Sequence, residues 1–227
     1  MKKFKTIVYV DAFNLYYGVL KGTPYKWLNI NALVNNLLSN NEIISLKYFT
    51  APVKSSNNNP NRLKNQNTYI SALQETIPYF ECIKGYFVEK KVEAKHLNPP
   101  PDKVNVSLRE EKETDVNIAV EIVQDSYAKE FDCIVLISND SDLGKALVVA
   151  KKLGKKIILI TPLFRRAMSL PSNRLKKLAD IHFLFISSKI LKKSLLNKTV
   201  GKFLCPKHWN ESKMATPHDV TSSQDGS

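Results

Sequence analysis

The fold is decided by one stretch of the sequence, Cys133-Ile134-Val135-Leu136-Ile137-Ser138-Asn139-Asp140-Ser141-Asp142. Its first five residues are apolar and mostly β-branched, which predicts a strand buried on both faces of a parallel sheet. Residues 143–153 carry apolar positions at helical spacing, so Asp140 and Asp142 lie in a strand-to-helix turn. Ligands of open α/β sheets bind at that carboxyl edge. Two acids at this spacing can point at one place above the sheet.

A second stretch, near the N-terminus, has the same form. Residues 6–10 are apolar and largely β-branched and end in Asp11, and Asn14 follows one helical turn later. The carboxyl ends of parallel strands share one edge of a sheet. We therefore expect Asp11 and Asn14 to reach the same place as Asp140 and Asp142.

The segment before the central strand has a helical pattern that begins with an acid. Apolar residues at 116, 119, 120 and 123 form a stripe, with Thr114 as the expected N-cap and Asp115 in the first turn. An acid in the first turn complements the helix dipole. The order of the elements also brings Asp115 towards Asp140, and residues 111–113 lie close enough to add charge or to position a phosphate.

The rest of the pattern alternates strands with helices, as is typical of α/β units. We predict strands at about 43–51 and 80–88, and helices at about 29–38 and 62–76. Residues 89–112 break the alternation, because the three consecutive prolines at 99–101 forbid both a helix and a central strand. We expect an exposed loop or a hairpin there.

Composition and charge limit the functions that the chain can have. The chain has 227 residues, 43% of them hydrophobic, which suffices for one globular domain with a tail. Residues 1–142 hold 17 basic and 17 acidic side chains, whereas residues 143–213 hold 17 basic ones against Asp180 and Glu211. A cationic face beside an acidic edge suits a polyanion such as nucleic acid, although a solvated lysine-rich surface gives the same counts.

The sequence gives no indication of secretion or of a membrane partner. No N-terminal stretch resembles a signal peptide, and no apolar run approaches the roughly 20 residues that span a bilayer. Cys82, Cys133 and Cys205 are scattered without CxxC spacing, which argues against a disulfide framework and a zinc site. We expect a cytoplasmic protein.

Three motifs in this order resemble those of the NYN domain family, which lies within the wider group of PIN-like nucleases. They are Asp11 with Asn14, residues 112–116 and residues 138–143. In the family they usually read D-x-x-N, K-x-x-D-V and S-G-D-S-D-F. The resemblance covers about residues 4–186. Within the family, the chain resembles the LabA-like branch. It implies an α/β fold, a three-layer α/β/α sandwich with a mainly parallel central sheet.

The resemblance also implies roles for single residues. Matched position by position, the catalytic and metal-binding acids are Asp11, Asp115, Asp140 and Asp142. The motif asparagine falls on Asn14. Asn139 stands where the family has glycine, and we expect the turn to survive because asparagine tolerates a left-handed φ better than other residues with a side chain.

A cluster of aspartates needs a counter-charge. Two carboxylates 4 Å apart repel by about 4 kcal/mol at an effective dielectric constant of about 20. Hard oxygen ligands select Mg²⁺ or Mn²⁺, which also bind phosphate oxygens. Together with the resemblance to PIN-like nucleases, this predicts a Mg²⁺- or Mn²⁺-dependent ribonuclease that hydrolyses RNA phosphodiester bonds. Asp11, Asp140 and Asp142 bind the metal, and Asp115 completes the cluster or orients the attacking water.

The basic residues near this edge are the predicted RNA contacts. Arg165 and Arg166 follow a strand at 156–160, so they project from the same carboxyl edge as the acids. Tyr16 and Tyr17 are able to stack on unpaired bases, which favours single-stranded RNA, although such tyrosines more often fill a core. The predicted substrate-binding residues are Asn14, Lys112, Ser138, Arg165 and Arg166.

The chain divides into an NYN domain and two short C-terminal parts. We predict the domain at residues 1–196, with a loop or hairpin insertion at about 89–112. A packing segment follows at 197–209. Residues 210–227 are rich in Ser, Thr, Asp and Gly, which predicts a disordered tail.

Two other functions stay open from the residues alone. One is a non-catalytic RNA-binding or regulatory module that keeps the fold and the basic face. The other is phosphoryl transfer on a small molecule, as in haloacid-dehalogenase-like sheets, but Phe13 stands where those sheets need a second aspartate. The sequence also leaves open which RNA is cut, the number of metals, and whether the chain forms a homodimer.

Overall fold

Parallel strands form the centre of the protein, and the computed structural model describes residues 3–55, 59–165, 167 and 169–209. The strands are β1 Phe4–Asp11, β2 Asn41–Thr50, β3 Phe80–Lys84, β4 Tyr86–Lys95, β5 Lys103–Lys112, β6 Cys133–Ile137, β7 Lys156–Ile160, β8 Ile181–Phe183, β9 Thr199–Val200 and β10 Phe203–Leu204. The α-helices are α1 Ala12–Leu15, α2 Ile30–Leu37, α3 Arg62–Thr76, α4 Thr114–Ala128, α5 Gly144–Lys152, α6 Asn173–Leu178 and α7 Ser188–Lys193. The predicted tail at 210–227 lies outside the described residues.

Within the described residues, six strands form one sheet in the order β3-β2-β1-β6-β7-β8. Every neighbouring pair in it is parallel. β6 lies between β1 and β7, and all five of its residues are buried. Their apolar, β-branched character suits burial on both faces. The predicted central strand and the predicted α/β fold class are confirmed.

Alternate residues of β1 face two separate cores. Val8 and Val10 pack on one side with residues of α1, α2, α3 and α7. Ile7 and Tyr9 pack on the other side with residues of α4, α5 and α6. Successive side chains of a strand point to opposite faces, so the sheet is the middle of three layers.

Gly85 marks the place where the chain leaves the sheet. The strand predicted at 80–88 is wrong beyond residue 84, because β3 ends at Lys84 and β4 begins at Tyr86 in a different sheet. A Cβ at Gly85 would overlap the carbonyl oxygen of Lys112 and would lie 2.8 Å from Oγ1 of Thr114. Only glycine fits this crossing of the two chain segments.

The break in the α/β alternation is an antiparallel hairpin of β4 and β5. The hairpin occupies residues 86–112, and its prolines lie in the turn, where the amide of His96 donates to the carbonyl of Asp102 at 2.9 Å.

At the C-terminal end, Trp209 packs on the rings of Trp27 and Tyr69 at centroid distances of 6.2 and 5.8 Å. No helix in the described part of the chain is long and apolar enough to cross a membrane.

Candidate active site

The carboxyl ends of β1 and β6 lie side by side. Val10 of β1 pairs with Ile137 of β6, so the next residues, Asp11 and Ser138, are neighbours at the sheet edge. Asp11 is 2% exposed and Ser138 is fully buried. A buried carboxylate needs hydrogen-bond donors, and this edge supplies them.

A continuous series of hydrogen bonds joins the first and third motifs. The amide and Nδ2 of Asn14 donate to Asp11 at 2.9 and 2.6 Å, and Oγ of Ser138 donates to Oδ2 of Asp11 at 3.0 Å. The same Ser138 oxygen accepts from the amide of Asp140 at 3.0 Å. Oδ1 of Asp140 then accepts from the amide of Asp142 at 3.0 Å. The turn that carries Asp140 is therefore held against Asp11.

Asp115 and Glu111 share the electrostatic environment of these acids. Asp115 is exposed at its outer side, but desolvation of the rest, and then the negative charges of Asp11, Asp140 and Asp142, raise its pKa to about 6. Burial, followed by the charges of Asp11 and Asp115, raises the pKa of Glu111 to about 7. Acids from α4, β5 and both strand ends are thus close enough to share one electrostatic environment. We call Asp11, Glu111, Asp115, Asp140 and Asp142 the acidic cluster.

The carboxylate oxygens of the acidic cluster are donors of the kind that a divalent cation binds. Over the described ranges, no group of three or more His, Cys, Asp or Glu side chains is arranged as a ready coordination shell. Mg²⁺ does not need such a shell, because it usually binds through one or two carboxylates and keeps several waters. Burial raises the pKa of Asp11, with the charge of Asp140 adding to the effect. Carboxylate groups that repel one another would be stabilised by a hard cation, which prefers oxygen ligands.

One sequence prediction around residues 111–114, the N-cap of α4, is wrong, whereas substrate binding by Lys112 stays a prediction. Thr114 is the first residue of α4 and not its N-cap; Glu113 is the cap, in a left-handed conformation with φ 72°. The Thr114 hydroxyl instead donates to Glu111. Lys112, predicted to bind substrate, forms an ion pair with Glu110 at 2.7 Å. Strand alternation puts Glu111 and Lys112 on opposite faces of β5, but it does not tell which of the two faces meets the other acids.

Asn139 forms hydrogen bonds that hold the loop of Leu170 and Ser172 next to the site. Its φ is not positive, so the left-handed turn expected there does not occur. Its Nδ2 donates to the carbonyl of Leu170 at 3.1 Å, and its Oδ1 accepts from the amide of Ser172 at 2.7 Å. An Asn14 oxygen accepts from the Asn139 amide at 3.2 Å. Asparagine at this position thus performs a bridging role that glycine lacks.

The basic residues predicted near the edge have different positions. Arg165 is exposed, in a turn that follows β7. Arg166 lies outside the described residues. Arg174 lies against the start of α5, with its Nε 2.7 Å from where a Cβ of Gly144 would be. The guanidinium group of Arg174 therefore lies beside Gly144, which is two residues after Asp142.

Comparison with known proteins identifies the family. The model of the NYN domain family matches residues 5–188. A similar curated protein is the 6-hydroxy-3-succinoylpyridine 3-monooxygenase HspA of Pseudomonas putida (strain DSM 28022 / S16), which is 34% identical over 63% of this chain and 54% of its own length. The chain thus spans about half of that relative. A crystal structure of a protein of unknown function from Vibrio parahaemolyticus RIMD 2210633 shares the fold, with a TM-score of 0.50, 18% identity, and coverage of 86% of this chain and 98% of its own. The chain belongs to the NYN domain family, a member of the PIN-like nuclease superfamily.

Proposed function

We propose that this protein is a divalent-metal-dependent ribonuclease of the LabA-like branch of the NYN family. The observation that supports this most is the acidic cluster at the carboxyl edge of the sheet. Its members come from four separate elements, and burial together with the charges of neighbouring acids raises the pKa values of Asp11, Glu111 and Asp115. Such a concentration of charge is unfavourable by itself and is useful where a cation and a phosphate meet.

The residues take distinct roles in this proposal. Asp11, Asp140 and Asp142 hold Mg²⁺ or Mn²⁺ directly or through waters, and the bound ion supplies charge neutralisation at the scissile phosphate. Asp115 orients the attacking water and accepts its proton, as a carboxylate with a raised pKa does well near neutral pH. Asn14 and Ser138 keep Asp11 in place through their hydrogen bonds.

RNA is the proposed substrate because cations flank the acidic cluster. Arg174 packs beside the turn of Asp140 and Asp142, and Arg165 is exposed at the same edge. The other 15 bases of residues 143–213 supply further positive charge. Phosphate contacts of this kind provide affinity without sequence preference. An Arg165→Glu variant is expected to bind single-stranded RNA less tightly, with a salt slope smaller by about 1. An unchanged affinity and slope would contradict this contact.

The deciding experiment uses labelled single-stranded RNA and DNA with Mn²⁺, Mg²⁺ or a chelator. We expect metal-dependent cleavage of RNA, abolished by Asp140→Asn with no loss of secondary structure. Asp132→Asn is the matched control, because Asp132 precedes the other end of β6 and binds the Lys5 amide at 2.8 Å. Cleavage by Asp140→Asn at the rate of the parent would overturn the assignment.

Two other activities remain as alternatives. Calorimetry that shows no binding of Mn²⁺ or Mg²⁺ would favour a non-catalytic RNA-binding module. The name of the Pseudomonas relative suggests hydroxylation of a pyridine-ring acid. Incubation of this protein with 6-hydroxy-3-succinoylpyridine, O₂ and a reduced nicotinamide tests that alternative. A hydroxylated product, together with intact RNA in the cleavage assay, would favour it over the ribonuclease.

A further inference from the structure

A cavity of about 130 Å³ lies between α1, β2 and α3. Its described lining is rich in aromatic side chains, namely Phe13, Tyr16, Tyr48, Tyr69 and Trp209. Rings of this kind present flat faces and edges on which another ring can stack. The cavity therefore offers aromatic surface to a ligand that contains a ring.

The cavity adjoins the acidic cluster through the chain itself. Ala12 and Phe13, which line it, directly follow Asp11. Tyr48 is also in the lining, and it pairs across the sheet with Val10, the residue before Asp11. A ligand in the cavity would thus contact residues that directly follow Asp11, an acid of the proposed catalytic site.

The charged groups of the cavity are positive. Lys26 and Arg62 line it, and none of its described lining residues is acidic. Arg62 forms no ion pair with an acidic side chain in the part of the chain that the structure describes. The guanidinium fork matches a phosphate or a carboxylate. The aromatic cavity therefore favours a ring that carries an anionic group.

Two amide side chains of α3 in the lining differ in what they do. Gln66 holds the neighbouring backbone: its Oε1 accepts from the Val53 amide at 2.9 Å, and its Nε2 donates to the Ala51 carbonyl at 3.0 Å. Asn65 lies three positions after Arg62, so the two share one face of the helix. Gln66 is part of the wall, whereas Arg62 and Asn65 are placed to meet a polar ligand.

The volume of the cavity selects the size of the ring. Cavities of about 150 Å³ hold a benzene molecule, so about 130 Å³ has room for a single six-membered ring. We propose that this cavity binds a pyrimidine nucleotide of the RNA strand, with the ring among the aromatic side chains and a phosphate at Arg62. This inference rests on the proposed ribonuclease activity. It assigns the enzyme a preference for RNA with a pyrimidine beside the cleaved bond.

Binding is tested by calorimetry on the full chain with CMP, UMP, AMP and pyridine-3-carboxylate. We expect CMP or UMP to bind at least about tenfold more tightly than AMP, and Arg62→Met to weaken that binding about tenfold, as for the loss of one charge-assisted hydrogen bond. Lys64→Met and Asn67→Ala are matched controls on α3, since both residues line a different surface depression. They should bind CMP like the parent, whereas Asn65→Ala should bind it less tightly. Equal affinity for AMP, or binding of pyridine-3-carboxylate alone, would overturn the nucleotide assignment.

A second measurement separates this inference from the proposed function. The Asp140→Asn variant should keep the affinity for CMP, because Asp140 is not among the described lining residues of the cavity. If RNA is cut without any preference for pyrimidines and CMP does not bind, the cavity assignment fails and the ribonuclease stands. If CMP binds and RNA stays intact with every metal, the ribonuclease fails and the cavity remains a nucleotide site. Circular dichroism of each variant checks that the fold is retained.

Discussion

The Ser138 hydroxyl donates to Oδ2 of Asp11 at 3.0 Å although the two residues are 127 positions apart in the sequence. Both are buried, and their strands are neighbours in the sheet. The same hydroxyl oxygen accepts from the Asp140 amide. One small side chain thus fixes the distance between the acid that ends β1 and the turn that follows β6.

The first prediction concerns Ser138→Ala. Loss of both hydrogen bonds should weaken Mn²⁺ binding and RNA cleavage by about 10- to 100-fold, as for partners that orient metal ligands. It should also reduce the free energy of unfolding by about 1–3 kcal/mol, because the buried Asp11 carboxylate loses a donor. Ser141→Ala, at an exposed position in the next turn, is the control. Parental Mn²⁺ affinity in Ser138→Ala, measured by calorimetry, would contradict the prediction.

The second prediction is that Asp115→Asn raises the melting temperature of the metal-free protein. The surroundings raise the pKa of Asp115, so its charged form is disfavoured in the folded state at neutral pH despite its place in the first turn of α4. The variant should also show a smaller stabilisation by Mn²⁺. Differential scanning fluorimetry with and without Mn²⁺ measures both effects. Glu113→Gln, exposed at the same helix end, is the comparison; an Asp115→Asn protein that melts below its parent would refute the idea.

The third prediction contrasts two glycines. A Cβ at Gly18 would overlap the backbone carbonyl of Pro162, whereas a Cβ at Gly144 meets the flexible end of Arg174. Gly18→Ala should therefore lower the free energy of unfolding by about 1–3 kcal/mol, the usual result of overpacking. Gly144→Ala should stay within about 1 kcal/mol of the parent and should bind RNA less tightly, because Arg174 must move. Urea denaturation distinguishes them, and equal stability of the two variants would argue against this packing.

The fourth prediction concerns Asp125, a buried acid of α4 that contacts Lys47 and Tyr9 of the sheet. Burial by itself would raise its pKa, but bonds from Lys129 at 2.7 Å, Lys47 at 2.6 Å and the Tyr9 hydroxyl at 2.8 Å hold the pKa below its usual value. Asp125→Asn leaves the buried Lys47 without one of its two acids and should cost about 3 kcal/mol at pH 7.

The pH dependence of that loss follows from the direction of the shift. A lowered folded-state pKa stabilises the protein above the unfolded value of 3.8, and this stabilisation disappears as the pH falls through the folded value. The difference between parent and Asp125→Asn should therefore be full at pH 7 and shrink below about pH 4. Urea titrations at several pH values measure it. Glu130→Gln, an exposed neighbour, should show no such trend; a difference that grows in acid would refute the ion-pair explanation.

Some of the fold was accessible from the residues because local pattern and burial agree. A run such as residues 133–137, with no polar position, has no stable place except the centre of a sheet, and β6 occupies that place. Gly85 shows the opposite case. The residues on both sides of it favour a strand, and only the approach of Lys112 and Thr114 explains why the chain turns away.

The sequence by itself determined the parallel sheet and the acids at its carboxyl edge. Hydrophobic periodicity and the alternation of strands and helices along the chain are local properties that the residues show directly. Tertiary structure alone decided the membership of Glu111 in the acidic cluster, the bridging role of Asn139 and the aromatic cavity between α1 and α3. Each of these depends on segments far apart in the chain that meet only when the core closes. Burial and the approach of like charges then set the pKa values of Asp115 and Glu111, which no spacing in the sequence encodes.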